Sequence, residues 1–153
     1  LSATRVALAS AALRHVEDAR ALVASSPVQA SYLAGYGPEC ARKAALTFAT
    51  EKEAEELDKA VGHGVGDDAE VALALVCALD PLAVRYTLRD WKSRKPDLKH
   101  WKDWFRYARS DSLTPKYAQR MLDAAEGLVD EVLAALWADG RLPHLEDLVR
   151  VKP

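Results

Sequence analysis

The chain has few of the residues that usually announce chemistry. Among 153 residues there are two cysteines, one methionine and two phenylalanines. Cys40 and Cys77 each stand alone in an apolar stretch, so neither a disulfide framework nor a cysteine–histidine zinc site is spelled out. Both read as reduced core thiols of a cytoplasmic protein. No apolar run approaches the roughly 20 residues that span a bilayer, and no signal peptide is apparent, so no membrane association is expected. A net charge of −2 lacks the global basic footprint of a nucleic-acid binder. A glycine-rich phosphate loop, a metal-ligand pair on one helix turn and a nucleophile elbow are all missing. The expectation is therefore no cofactor and no metal. Leu1 is not an initiator, which suggests a trimmed terminus or a domain of a longer chain.

What is present points to helix. Half the residues are hydrophobic and 29% are charged, with alanine and leucine dominant and no strand alternation of any length. Ser2 caps a first helix with Leu8, Ala12, Val16, Ala19 and Val23 on one face. Ser26-Pro27 opens a second. Thr50 and Glu53 form a capping box for a short acidic helix ended by Gly62. "GHGVGDD" makes a turn, with His63 as a turn residue, and Asp67 caps a helix through Leu79. Asp80-Pro81 starts a helix with Val84, Leu88 and Trp91 on one face; "KSRKP" breaks it. Asp97 caps the next, striped by Leu98, Trp101, Phe105 and Ala108. Thr114-Pro115 opens the longest helix, running to Gly140 on Ala118, Met121, Ala125, Leu128, Val132 and Leu136. A short helix follows Pro143. The fold class is all-α: one domain over 1–153 with its core at about 3–140, an antiparallel bundle of about four long helices plus short ones.

The stretch "SYLAGYGPECARKAAL" at 31–46 is the unusual one. On a helix, Leu33, Gly37, Cys40, Ala44 and Phe48 share a face, with Tyr32, Gly35, Tyr36, Glu39 and Lys43 towards the other side. Each glycine costs roughly 1 kcal/mol relative to alanine in a helix interior, which suggests that another helix backbone passes close by. Pro38 cannot donate to the Ala34 carbonyl, so a kink or a restart is expected. Cys40 falls on the packed face, as a core thiol and not a nucleophile.

Ala34, Gly35, Tyr36, Glu39, Cys40, Lys43 and Ala44 resemble the second-helix signature of the HEPN family, small helical nucleotide-associated domains. "GHG" at 62–64, "WFRY" at 104–107 and a long C-terminal helix are similar to that family's later elements, in order, over most of residues 5–138. Pro38 departs from the pattern. The resemblance implies a HEPN-like bundle that dimerises and binds a nucleotide, an RNA or a nucleotidyltransferase-type partner in a regulatory or toxin–antitoxin defence setting. Catalytic members resemble metal-independent ribonucleases with an Arg-x(4–6)-His motif shared across a dimer. Only Arg94 and His100 have that spacing here, interrupted by Pro96. In the family Glu39 and Arg106 would face a common groove, so a partly buried ion pair is expected.

Charge is distributed unevenly. Residues 85–109 hold nine basic side chains (Arg85, Arg89, Lys92, Arg94, Lys95, Lys99, Lys102, Arg106, Arg109) against three acids, a balance of +6, whereas residues 51–70 balance at −6. Trp91, Trp101, Trp104 and Tyr107 interleave the basic segment, a composition suited to phosphates and stacked bases. Lys95, Lys99, Trp104, Arg106, Tyr107 and Arg109 are the candidate binding residues, and Tyr36, Glu39 and Lys43 the groove residues. The plainer reading makes Trp101 and Phe105 core, the lysines a solvated face or a partner for the acidic helix, and Tyr36 and Tyr107 core aromatics with satisfied hydroxyls. Three functions stay open: a non-catalytic binding domain, a ribonuclease toxin using Arg94 and His100, and a structural dimerisation module.

Overall fold

The computed structural model describes residues 5–46, 81–88 and 90–143. The caps at Ser2 and Asp67, the Thr50–Glu53 box, Phe48, the acidic 51–70 segment, His63, Cys77, Arg89 and the helix after Pro143 lie outside the described residues. The fold is an all-α bundle, with no strand among the described residues. Of the described helices three are long: α1 (Arg5–Leu22), α2 (Pro27–Leu46) and α4 (Pro115–Ala138). Between α2 and α4 the described residues form 3-10 helices at Pro81–Tyr86 and Asp103–Tyr107 and a one-turn helix, α3 (Trp91–Arg94). None of the described helices is long and apolar enough to cross a membrane.

Start and stop chemistry works locally as the residue types dictate. The Ser26 carbonyl accepts the Ala30 N–H at 2.9 Å, the first turn of α2 with Pro27 leading. Thr114 accepts the Tyr117 N–H at 3.2 Å ahead of Pro115. At the far end of α4, Gly140 takes φ +68, and the Arg141 N–H returns to the Leu136 carbonyl at 2.9 Å. Only glycine enters that left-handed cap without steric cost.

The four-residue link between α1 and α2 makes them antiparallel neighbours, and Arg5 Nε reaches the Ala44 carbonyl at 3.2 Å. α4 runs antiparallel to α1: Arg5 at the start of α1 lies near Arg141 just past the end of α4, while Arg20 near the end of α1 pairs with Glu126 farther back along α4. The Gly37 Cα faces both, with Ala12 and Val16 on one side and Val129 on the other. Helix α2 is thus the central rod, and Ala9, Ala12, Ala19, Ala34, Ala41, Ala44 and Ala45 are completely buried. Side chains this small let helix backbones approach closely. The stripe of α4 is fully buried as expected, thickened by Leu122, Val129 and Leu133.

Three expectations need correction. First, α2 is a single helix through Pro38, with no restart. It is buried on most sides and not along one face, because α1, α4 and the 103–107 segment all pack on it. Secondly, residues 81–91 are not one helix. Asp90 turns left-handed at φ 54, Val84 is 49% exposed, and Tyr86 takes the buried place beside Leu88 and Trp91. Thirdly, Leu98, Trp101 and Phe105 are buried, but on a path of turns and a 3-10 helix. Asp97 there receives Arg120 Nε at 3.3 Å.

Candidate functional site

The segment from Asp90 to Arg109 is held on the bundle by its aromatics. Trp91 lies under the guanidinium of Arg42, 5.4 Å from its ring centre, and Arg42 itself is only 1% exposed in the core. Trp101 is 4% exposed, lies against Gly35, and donates Nε1–H to the Tyr32 carbonyl at 3.1 Å. Tyr36 meets Trp101 edge-on at 5.2 Å. Its hydroxyl lies 3.2 Å from that of Tyr32, and burial followed by that bond pushes the Tyr36 phenol well above its ordinary value. The two glycines are therefore contact surfaces: Gly35 for an indole, Gly37 for α1 and α4.

With Trp91, Trp101 and Phe105 turned inward, the cations face out, and most of them fall into two groups. Arg94 binds Glu131 of α4 through Nη1 at 3.0 and 3.3 Å and Nη2 at 3.2 Å, and that pairing raises its pKa. Lys95 lays its ammonium over Gly127, Arg85 pairs with Asp139, and Arg109 binds Asp111 at 2.9 and 3.1 Å. Acids of α4 and its end, Glu131 and Asp139, thus answer two of the basic residues. The second group is Lys99, Lys102 and Arg106, all exposed, with His100 in the same turn region. Arg106 lies over the Tyr107 ring at 4.8 Å, and Tyr107 is 76% exposed. Trp104 belongs to the same 3-10 helix, its side chain outside the described set.

Several expected roles change. Tyr107 is a surface aromatic, not a core one: the 3-10 helix turns Phe105 inward and leaves Tyr107 76% exposed. Glu39, 3% exposed, pairs along α2 with Lys43 at 3.0 Å, and the groove partner expected for it, Arg106, is instead out on Tyr107. Cys40 is half-buried against the core, not fully enclosed. Arg94 and His100 are not hydrogen-bonded to one another among the described residues; the guanidinium is taken by α4. No group of three or more histidine, cysteine or carboxylate side chains that could hold a metal occurs among the described residues.

Sequence reasoning missed two features. Arg42, between Ala41 and Lys43, carries no mark of burial in the sequence, and only its packing against Trp91 reveals it. At the end of α4, the buried Tyr86 donates to Asp139 at 2.6 Å. That bond, ahead of the nearby arginines, holds the Asp139 carboxyl below its usual range, while burial and the same bond push the Tyr86 phenol up to about 12. A tyrosine spaced 53 residues from its acceptor leaves no local signal. Comparison with protein-family models, curated proteins and solved structures finds no match.

Proposed function

We propose that the chain is a non-catalytic HEPN-like domain that binds single-stranded RNA, or the nucleotide unit of one, on the face formed by Lys99, Lys102, Arg106 and Tyr107. The observation that carries this reading is Tyr107, 76% exposed with the Arg106 guanidinium 4.8 Å from its ring. A large aromatic held in water forgoes burial worth roughly 25 cal/mol per Å² of apolar surface, whereas an open ring beside a cation suits a stacked base and its phosphate. The resemblance at residues 34–44 supports the same class of ligand. Cleavage is the weaker reading, since Arg94 would first have to leave Glu131. Dimerisation and a nucleotidyltransferase-type partner rest on the resemblance alone.

The test is fluorescence anisotropy with a short labelled single-stranded RNA. Three phosphate contacts give a log–log salt slope of about −2, or a loss of roughly 15- to 20-fold between 50 and 200 mM salt. Tyr107→Ala should weaken binding about tenfold through lost stacking. A mononucleotide that competes as well as the oligonucleotide would narrow the ligand to the nucleotide unit. Absence of saturable binding, or an affinity indifferent to salt and to Tyr107→Ala, refutes the reading.

A further inference from the structure

We infer that Arg120 carries the binding face from the basic segment onto α4 as one more phosphate contact, so that the ligand is a strand of several nucleotides; this rests on the binding function proposed above. The arginines around that face are engaged in different ways. Arg94 gives both Nη groups to Glu131, and Arg109 gives Nε and Nη2 to Asp111. Arg120 meets its carboxylate, Asp97, through Nε at 3.3 Å, and its side chain is 51% exposed. Among the described residues nothing bonds the opposite edge, formed by its two Nη groups. That edge is the one that grips a phosphate with two parallel hydrogen bonds.

The guanidinium is also seated. It lies over Tyr117, 5.6 Å from the ring centre, and Tyr117 is packed against the core. With a ring beneath it and a carboxylate at Nε, the cation is ordered in advance and loses less freedom when it takes a phosphate. Its place in the fold joins it to the proposed face. Asp97 stands two residues before Lys99, in the turn that also carries His100, and two residues span at most about 7 Å. Lys116, exposed, stands one turn before Arg120 on the same side of α4. Tyr107 and Arg120 thus each belong to a cation–ring pair, on two separate elements, and the cations of residues 99–106 link them along the chain. One base stacked on Tyr107 and a phosphate held by Arg120 belong to different nucleotides of one strand.

Arg120→Gln removes the charge and keeps a side chain of similar reach. With labelled single-stranded RNAs of one to about eight nucleotides, wild type and Arg120→Gln should bind the shortest alike and part above a threshold length. On the longest, the variant should lose about tenfold in affinity at low salt, in line with one charged bidentate contact. Its log–log salt slope should fall from about −2.8 for four phosphate contacts to about −2 for three, a change that a merely structural role would not produce. Arg120→Lys should keep the steeper slope and recover only part of the affinity, since it retains the charge without the planar fork. A wild-type slope in Arg120→Gln, the shallower slope in Arg120→Lys, equal losses at every RNA length, or a mononucleotide that competes as well as the longest strand overturns the contact, while Tyr107→Ala still weakens binding. Binding that ignores Tyr107→Ala would remove the parent function, and this contact with it.

Discussion

Alanine at Gly35 tests the packing on which the whole site stands. A Cβ there would clash hard with Cε2, Nε1 and Cδ2 of Trp101, far inside van der Waals contact, so the indole must leave its place. That ring is 4% exposed and donates its N–H to Tyr32 at 3.1 Å. Removing a buried tryptophan side chain costs about 3–5 kcal/mol, and displacing one forfeits much of the same contact. Alanine returns about 1 kcal/mol of helix propensity, leaving a net loss of about 2–4 kcal/mol out of a typical total of about 5–15. For a chain of this size that lowers Tm by about 4–16 °C. Gly37→Ala should be milder. Its Cβ would lie 2.9 Å from Val16 Cγ2 and 3.3 Å from the Ala12 carbonyl and Val129 Cγ2. A shift of a few tenths of an ångström relieves it, at a net cost of about 0–2 kcal/mol. Gly127→Ala meets only the movable end of Lys95 and should gain up to about 1 kcal/mol. Urea and thermal unfolding of the three variants should therefore rank Gly127→Ala above wild type, Gly37→Ala at or below it, and Gly35→Ala lowest. A Gly35→Ala protein that melts at or above wild type would refute the argument, because propensity alone would then govern this helix.

Three other outcomes can be measured. His15 packs against Tyr36 at 5.6 Å, and burial, then Arg14, lower its pKa against the opposing pull of Asp18 and Glu39. The unfolded chain takes up that proton near pH 6.5 and the folded one only below it, so the stability His15 contributes is whole above about pH 6.5 and declines as pH falls towards the folded pKa. Tm should drop between about pH 7.5 and 5.5, with a shallower slope in His15→Gln; equal slopes would discard the account. Arg94→Ala breaks a pair whose members are 43% and 42% exposed, so it should cost less than about 1 kcal/mol in unfolding experiments. His100→Ala should leave RNA intact to the same degree as wild type; a wild-type cleavage activity abolished by His100→Ala would overturn the non-catalytic proposal.

Legibility from sequence tracked how local the determining physics was. The boundaries of α4 could be read because Thr114, Pro115 and Gly140 each satisfy or release backbone groups within a turn of themselves. Its buried stripe could be read because one long helix repeats one spacing for 24 residues. The glycines of α2 were correctly read as close approaches. What lay against them was partly misjudged: Gly37 meets α1 and α4, but the object at Gly35 is an indole, not a backbone. The segment 81–107 was misread as two α-helices. Leu98, Trp101 and Phe105 stand three and four apart, a spacing that turns and 3-10 helix also bury, while aromatic and aspartate residues contribute little helix propensity of their own. Within the candidate site, the basic and aromatic character was plain in the composition, but the division of its cations was not.

The residues alone determined the helical class, the two ends of α4, its apolar stripe and the crowding of small side chains at 34–45, because each depends on neighbours within about one turn of chain. Tertiary structure decided which charges are answered and which aromatic stays in water. Arg94 finds Glu131 across 37 residues, and Trp101 finds Tyr32 across 69. With Trp101 and Phe105 occupying the inward positions against α2, Tyr107 is left outside with Arg106 upon it, an outcome that exists only once α2 and the basic segment are pressed together.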